Sequence, residues 1–108
     1  MSDRPTEFTF AGKDWSIEWL DEEASIISGD SIVYGDADPL TQNIRICTEG
    51  HHPDVVRDTL FHEVKHAVNY IADLRNHSTE EEFVTRGTPL ELDILRNNES
   101  LTTFLLAE

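Results

Sequence analysis

The chain has 108 residues, 38% of them hydrophobic, with two tryptophans, one cysteine and a net charge of −14. That is the length of one domain, residues 1–108, with enough apolar side chain for a modest core, which excludes a disordered polymer. Eleven acids against three bases in residues 1–50, and eleven against five in 51–108, spread the charge over the whole chain. A field of this sign repels nucleic acid and anionic membranes and favours a basic protein as partner.

No apolar run approaches a membrane span, and Met1–Pro5 lacks the apolar segment of a signal peptide. Cys47 is alone. It admits no intrachain disulfide, which predicts a reducing, cytoplasmic setting, and with no motif around it, it reads as a small buried apolar side chain.

In chain order, Glu7–Phe10 and Trp15–Leu20 alternate apolar and polar residues around Ala11-Gly12-Lys13-Asp14. That is the pattern of a hairpin. Asp21–Asp30 is polar and reads as a loop, with Ile26 and Ile27 as its anchors. Ile32-Val33-Tyr34 reads as a third short strand, and Gly35-Asp36-Ala37-Asp38-Pro39 as a chain break. Asn43–Thr48, with Ile44 and Ile46 alternating with polar neighbours, reads as a further strand.

Helices follow. Pro53 and Asp54 suit a helix's first turn. From there Val56, Leu60, Val64, Ala67, Ile71 and Leu74 gather into one apolar stripe at 100° per residue. A short link, Arg75-Asn76-His77-Ser78, leads to a second helix starting near Thr79. Pro89 is expected to interrupt or restart it, and Leu90–Leu106 to form one or two further helical pieces. Strands before helices predict an α+β fold, a mostly antiparallel sheet of three or four short strands followed by an active-site helix and C-terminal helices.

His62-Glu63-Val64-Lys65-His66 lies within the first helix. Four-residue spacing puts both imidazoles on one face, one turn apart, where they can bind the same Zn2+ ion. Both fall opposite the centre of the apolar stripe, with Glu63 on its flank. Zinc lowers the pKa of a bound water towards about 7 and polarises a carbonyl, and Glu63 is placed to take the water's proton and return it to the leaving amine. Asp58 and Asn69 lie near the histidine face and are candidates to orient an imidazole. Tyr70, Tyr34 and His77 are candidates to stabilise an oxyanion. His51 and His52 read as loop or capping residues.

A catalytic zinc site usually has three protein ligands. The stretch after the motif offers none, because Asn69, Tyr70 and Ile71 fill it. His77 sits in a link, and the remaining candidates are Glu80 and Glu81 at the start of the second helix. The same acids have a structural explanation. Ser78 with Glu81 fits a capping box, and so does Thr79 with Glu82, which leaves Glu80 and Glu81 free.

Leu60-Phe61-His62-Glu63-Val64-Lys65-His66-Ala67-Val68, then Glu80-Glu81-Glu82-Phe83-Val84, then Leu95-Arg96-Asn97-Asn98, resemble small metallopeptidase-like proteins of bacteriophages and prophages. These are similar to minimal gluzincins and to the zinc-peptidase domain of the ImmA/IrrE type. The resemblance spans residues 43–106. It implies a zincin-like fold with His62 and His66 as zinc ligands, Glu63 as the catalytic acid/base, and a glutamate with small or apolar residues three, six and seven positions later as third ligand. Glu81, with Val84, Gly87 and Thr88, matches that spacing better than Glu80. A phage origin implies the host cytoplasm.

The expected activity is therefore zinc-dependent hydrolysis of a peptide or protein substrate, with the strand Asn43–Thr48 pairing edge-on with an extended peptide. The alternative is an inactive zinc-binding scaffold whose acidic surface holds a basic protein partner.

Overall fold

In the computed structural model, residues 4–75 and 77–107 are described. Strand β1 (Glu7–Phe10) turns through Ala11 and Gly12 into β2 (Lys13–Leu20), with Phe10 opposite Lys13. Both turn residues have positive φ, 52° and 73°, as a two-residue turn of type I′ requires. The turn is thus shorter than the four residues expected, and Lys13 and Asp14 already belong to the ladder.

The polar stretch after β2 contains more strand than its composition suggests. Ile26–Ser28 (β3) and Ser31–Val33 (β4) pair as a small hairpin. The expected break is itself a strand, β5 (Gly35–Asp38), antiparallel to β6 (Asn43–Cys47). β6 also pairs in parallel with β2, so the main sheet is mixed and ordered β1-β2-β6-β5. Two of its three ladders are antiparallel. β6 is therefore an inner strand with both edges taken, and the expected edge pairing of a peptide with Asn43–Thr48 has no free backbone to use. The strands of the main sheet with a partner on one side only are β1 and β5.

Helix α1 (Pro53–Ile71) starts with Pro53 in its first turn, while the His52 ring accepts a hydrogen bond from the Asp54 N–H at 3.1 Å. It ends in a Schellman motif. Asp73 adopts a left-handed φ of 55°, its N–H donates to the Tyr70 carbonyl, and the Leu74 N–H reaches back to Asn69 at 2.8 Å. Leu74 is buried just beyond the helix. The stripe packs on the sheet, where Val56, Leu60, Val64, Ala67 and Val68 meet Phe8, Phe10, Trp15, Ile17, Ile44 and Ile46.

Helix α2 (Glu80–Asn97) is capped by Thr79, whose hydroxyl accepts from the Glu82 N–H while Glu82 reaches back to the Thr79 N–H. Of the two boxes read from the sequence this is the second. Contrary to expectation, Pro89 lies within one continuous helix. Core contacts hold it on both sides of the proline, with Gly87 and Ile94 buried and Leu90 packed on the core. Helix α3 (Glu99–Leu106) completes the chain, burying Leu101 and Phe104. No helix among the described residues is long and apolar enough to cross a membrane.

Asn98, between α2 and α3, closes the β1 edge of the sheet. Its Oδ1 accepts from the Thr9 N–H at 2.8 Å, and its Nδ2 donates to the Thr9 carbonyl at 2.8 Å and to the Ile94 carbonyl at 2.9 Å. One carboxamide thus does for Thr9 what a neighbouring strand would do, which blunts an edge that would otherwise recruit another chain. Asn98→Ala is expected to lower unfolding stability by about 1–3 kcal/mol, read as a lower denaturant midpoint at unchanged m value. Asn98→Asp, which keeps only the acceptor, should also fall short of the wild type.

Candidate functional site

The site begins with a glycine. A Cβ on Gly35 would stand 2.8 Å from the Arg45 carbonyl oxygen, 3.0 Å from Thr59 Cγ2 and 3.2 Å from Ile46 Cδ1. Only the smallest residue lets β5 lie this close to α1, one turn before His62. Between β5 and the histidine face of α1 runs a cleft of about 980 Å3. Tyr34, Gly35, Asp36, Ala37 and Pro39 form one wall; Asp58, Thr59, His62, Glu63, His66, Asn69 and Tyr70 form the other.

His62 and His66 stand in this cleft with their Nε2 atoms 3.1 Å apart. Two nitrogens bound to one zinc at the usual Zn–N distance and tetrahedral angle lie about 3.3 Å apart. The pair is therefore already at the span that chelation needs. Both rings lie on the exposed side of α1, as their position off the stripe predicts.

Glu63 is different. It is buried, 6% exposed, and lines the cleft. Burial pushes its carboxyl up to about 7, and the Asp36 carboxylate adds to the effect. Burial, then neighbouring His62, lowers the pKa of His66 and favours the neutral, metal-binding ring.

Asp36 is held by Arg45 through two bonds, Nε to Oδ1 at 2.8 Å and a shorter one from Nη2 to Oδ2. That carboxylate raises the Arg45 pKa, chiefly through the hydrogen bonds. Sequence reasoning passed over Gly35, Asp36 and Arg45. The available signal was alternation: Asp36 and Arg45 are register partners on one face of β5 and β6, once β5 is seen as a strand.

Of the other expected site residues, Asp58, Asn69, Tyr34 and Tyr70 line the cleft, whereas His77, Glu80 and Glu81 do not. Glu81 instead accepts the Thr85 hydroxyl at 3.1 Å along its own helix. Among the described residues no three His, Cys, Asp or Glu side chains gather as a metal site. The donors present thus fit two positions on a zinc ion, and among the described residues no third protein ligand stands beside them. His52 is the α1 cap, and His51 packs edge-on against Tyr34 with ring centroids 4.5 Å apart.

No family model, curated protein or solved structure matches the chain.

The Glu63 shift has a definite sign in stability. A folded-state pKa of about 7, above the ordinary 4.5, means that the folded chain holds the proton more tightly than the unfolded one. Its contribution is complete below about pH 4.5 and is lost as pH rises through 7. With chelator present throughout, Glu63→Gln should therefore gain stability relative to the wild type between pH 5 and 8, by on the order of 1–3 kcal/mol. Urea unfolding of both proteins at each pH measures it, and His66 titrates in both, so its contribution cancels to first order. A difference independent of pH would show that Glu63 is not desolvated.

Proposed function

We propose that this is a zinc-dependent, metallopeptidase-like hydrolase whose site lies between α1 and β5. The observation that carries this reading is the His62–His66 pair at chelating span, with a buried carboxylate on the intervening residue. His62 and His66 would hold the metal, which when bound supplies Lewis acidity towards a carbonyl and an activated water.

Glu63 does the proton chemistry. A carboxyl with a pKa of about 7 is near the optimum for a base that must take a proton and then return it at neutral pH. The acceptor of the returned proton is the leaving amine. Tyr34 and Tyr70, both on the cleft walls, carry hydroxyls that could serve a developing oxyanion. The peptide would lie extended against β5, whose outer edge has no strand partner among the described residues, with Gly35 keeping strand and helix close.

The purified protein should carry about one zinc per chain by elemental analysis. The His62→Ala/His66→Ala double variant should lose it. Glu63→Gln should keep the metal and lose peptide hydrolysis by about 100-fold or more. Glu81→Gln and Glu80→Gln report whether either acid completes the site, through a drop in zinc affinity. A metal-free native protein, with stability unchanged in the double variant, overturns the reading.

One observation favours a second reading, a metal-anchored binding module. No third ligand is gathered among the described residues, and the charge of −14 suits a basic protein partner. In that case Glu63→Gln would leave partner capture and phenotype intact.

A further inference from the structure

The hairpin of β3 and β4 forms a sheet of its own, and its register decides which side chains share a face. Ile26 is paired with Val33, and Ile27 with Ile32, across a turn at Gly29 and Asp30. Gly29 has the positive φ, 61°, that a type II′ turn needs at its first central position. Successive side chains of a strand point to opposite faces. Ile26 is buried and Val33 half-buried, so their face anchors the hairpin to the body of the molecule. Ile27 and Ile32 share the other face, and they are 80% and 72% exposed.

A hairpin with one packed face normally carries polar side chains on the other. Here the outer pair is two isoleucines, whose Cβ atoms in such a pair lie about 5 Å apart. Scattered apolar residues on a surface are ordinary, but a cross-strand pair on a small hairpin is a face for association.

Charge and position say what associates. Residues 21–44 contain the acids Asp21, Glu22, Glu23, Asp30, Asp36 and Asp38 and no Lys or Arg. Asp30 at the hairpin turn and Asp58 on the cleft wall are exposed, and neither has an ion-pair partner among the described residues. Arg75, which also lines the cleft, is engaged by Asp73 at 2.9 Å. Ile32 and Val33 line the cleft as well, and the chain continues from them through Tyr34 into β5. A peptide laid along β5 thus meets the hairpin at the cleft rim.

We propose that the outer face of the β3–β4 hairpin docks a basic segment of the bound protein. An aliphatic side chain of that segment packs across Ile27 and Ile32, and Lys or Arg residues beside it face Asp30 and Asp58. The apolar contact supplies affinity. The acids supply selection, because an acidic segment of equal hydrophobicity is repelled. This inference rests on the peptide-binding reading of the cleft and adds the class of sequence that it selects.

The test is a titration of 15N-labelled protein, with chelator present, by the acetylated and amidated hexapeptide Lys-Lys-Leu-Val-Lys-Lys. One control peptide has Ser-Ser in place of Leu-Val, and another has Glu in place of every Lys. The basic aliphatic peptide should move the Ile27, Asp30 and Ile32 amide signals saturably, and added salt should weaken its binding. The Ser-Ser control should bind about tenfold more weakly or worse, the worth of one aliphatic side chain leaving water. The Glu control should not bind measurably. Ile27→Ser/Ile32→Ser should cost the first peptide a similar factor, with amide signals outside the hairpin unmoved, since both positions are exposed. Asp30→Asn/Asp58→Asn should weaken the first peptide and flatten its salt dependence.

Stationary Ile27 and Ile32 signals overturn the proposal, as do equal affinities for the three peptides. Dimerisation that Ile27→Ser/Ile32→Ser abolishes and the peptide does not displace assigns the face to a second copy of the chain and also overturns it. The titration needs neither metal nor turnover. A failure here therefore leaves the hydrolase reading intact, and loss of zinc binding leaves this docking face intact.

Discussion

The approach of β5 to α1 at Gly35 is the contact on which the candidate site depends. With a Cβ there, the Arg45 carbonyl and the Thr59 methyl would be overlapped, and strand and helix would have to separate. Their closeness leaves a cleft whose walls are one helix face and one strand, with Asp36 acting on Glu63 across it. The histidine spacing alone would place two rings on any exposed helix face. What distinguishes this face is the strand that shields the residue between them. Glu63 is buried because β5 and the sheet lie beside it, and its carboxyl is pushed up to about 7 for the same reason.

Two carboxylates on facing walls of one cleft are costly unless one is neutralised. The molecule treats them differently. Asp36 is tied by two bonds to Arg45, on the adjacent strand. For Glu63, desolvation moves the titration towards neutrality. A carboxyl so placed is suited to exchange a proton near pH 7. Carboxyls shifted by burial in this way are more common at functional sites than elsewhere.

What could be read from the sequence followed how local its causes were. The helices depend on neighbours a turn away. Accordingly the start of α1 at Pro53, its apolar stripe, the exposed His62 and His66, and the Thr79–Glu82 box were all legible. The hairpin of β1 and β2 was legible for the same reason. β5 was not. Gly35-Asp36-Ala37-Asp38 has the composition of a turn, and it is a strand because β6 pairs with it and because Asp36 meets Arg45 across the ladder. Once β5 occupies that edge, β6 becomes an inner strand, so the expected place for a peptide moves outward by one strand. Pro89 misled for a related reason, since tertiary contacts at Gly87, Leu90 and Ile94 keep the helix continuous where propensity alone would end it.

The two edges of the main sheet show the same division between structure and binding. At β1 the backbone of Thr9 is satisfied by a side chain from the α2–α3 junction, so an incoming strand finds that residue's groups already paired. At β5, which has no strand partner on its outer side among the described residues, Gly35, Asp36 and Ala37 line the cleft that holds His62, Glu63 and His66. A chain that needed only to avoid edge-to-edge association would have reason to close both. On the reading proposed above, an edge beside a desolvated carboxylate and two histidine rings would let main-chain pairing align an extended peptide while the side chains of the opposite wall act on one of its bonds.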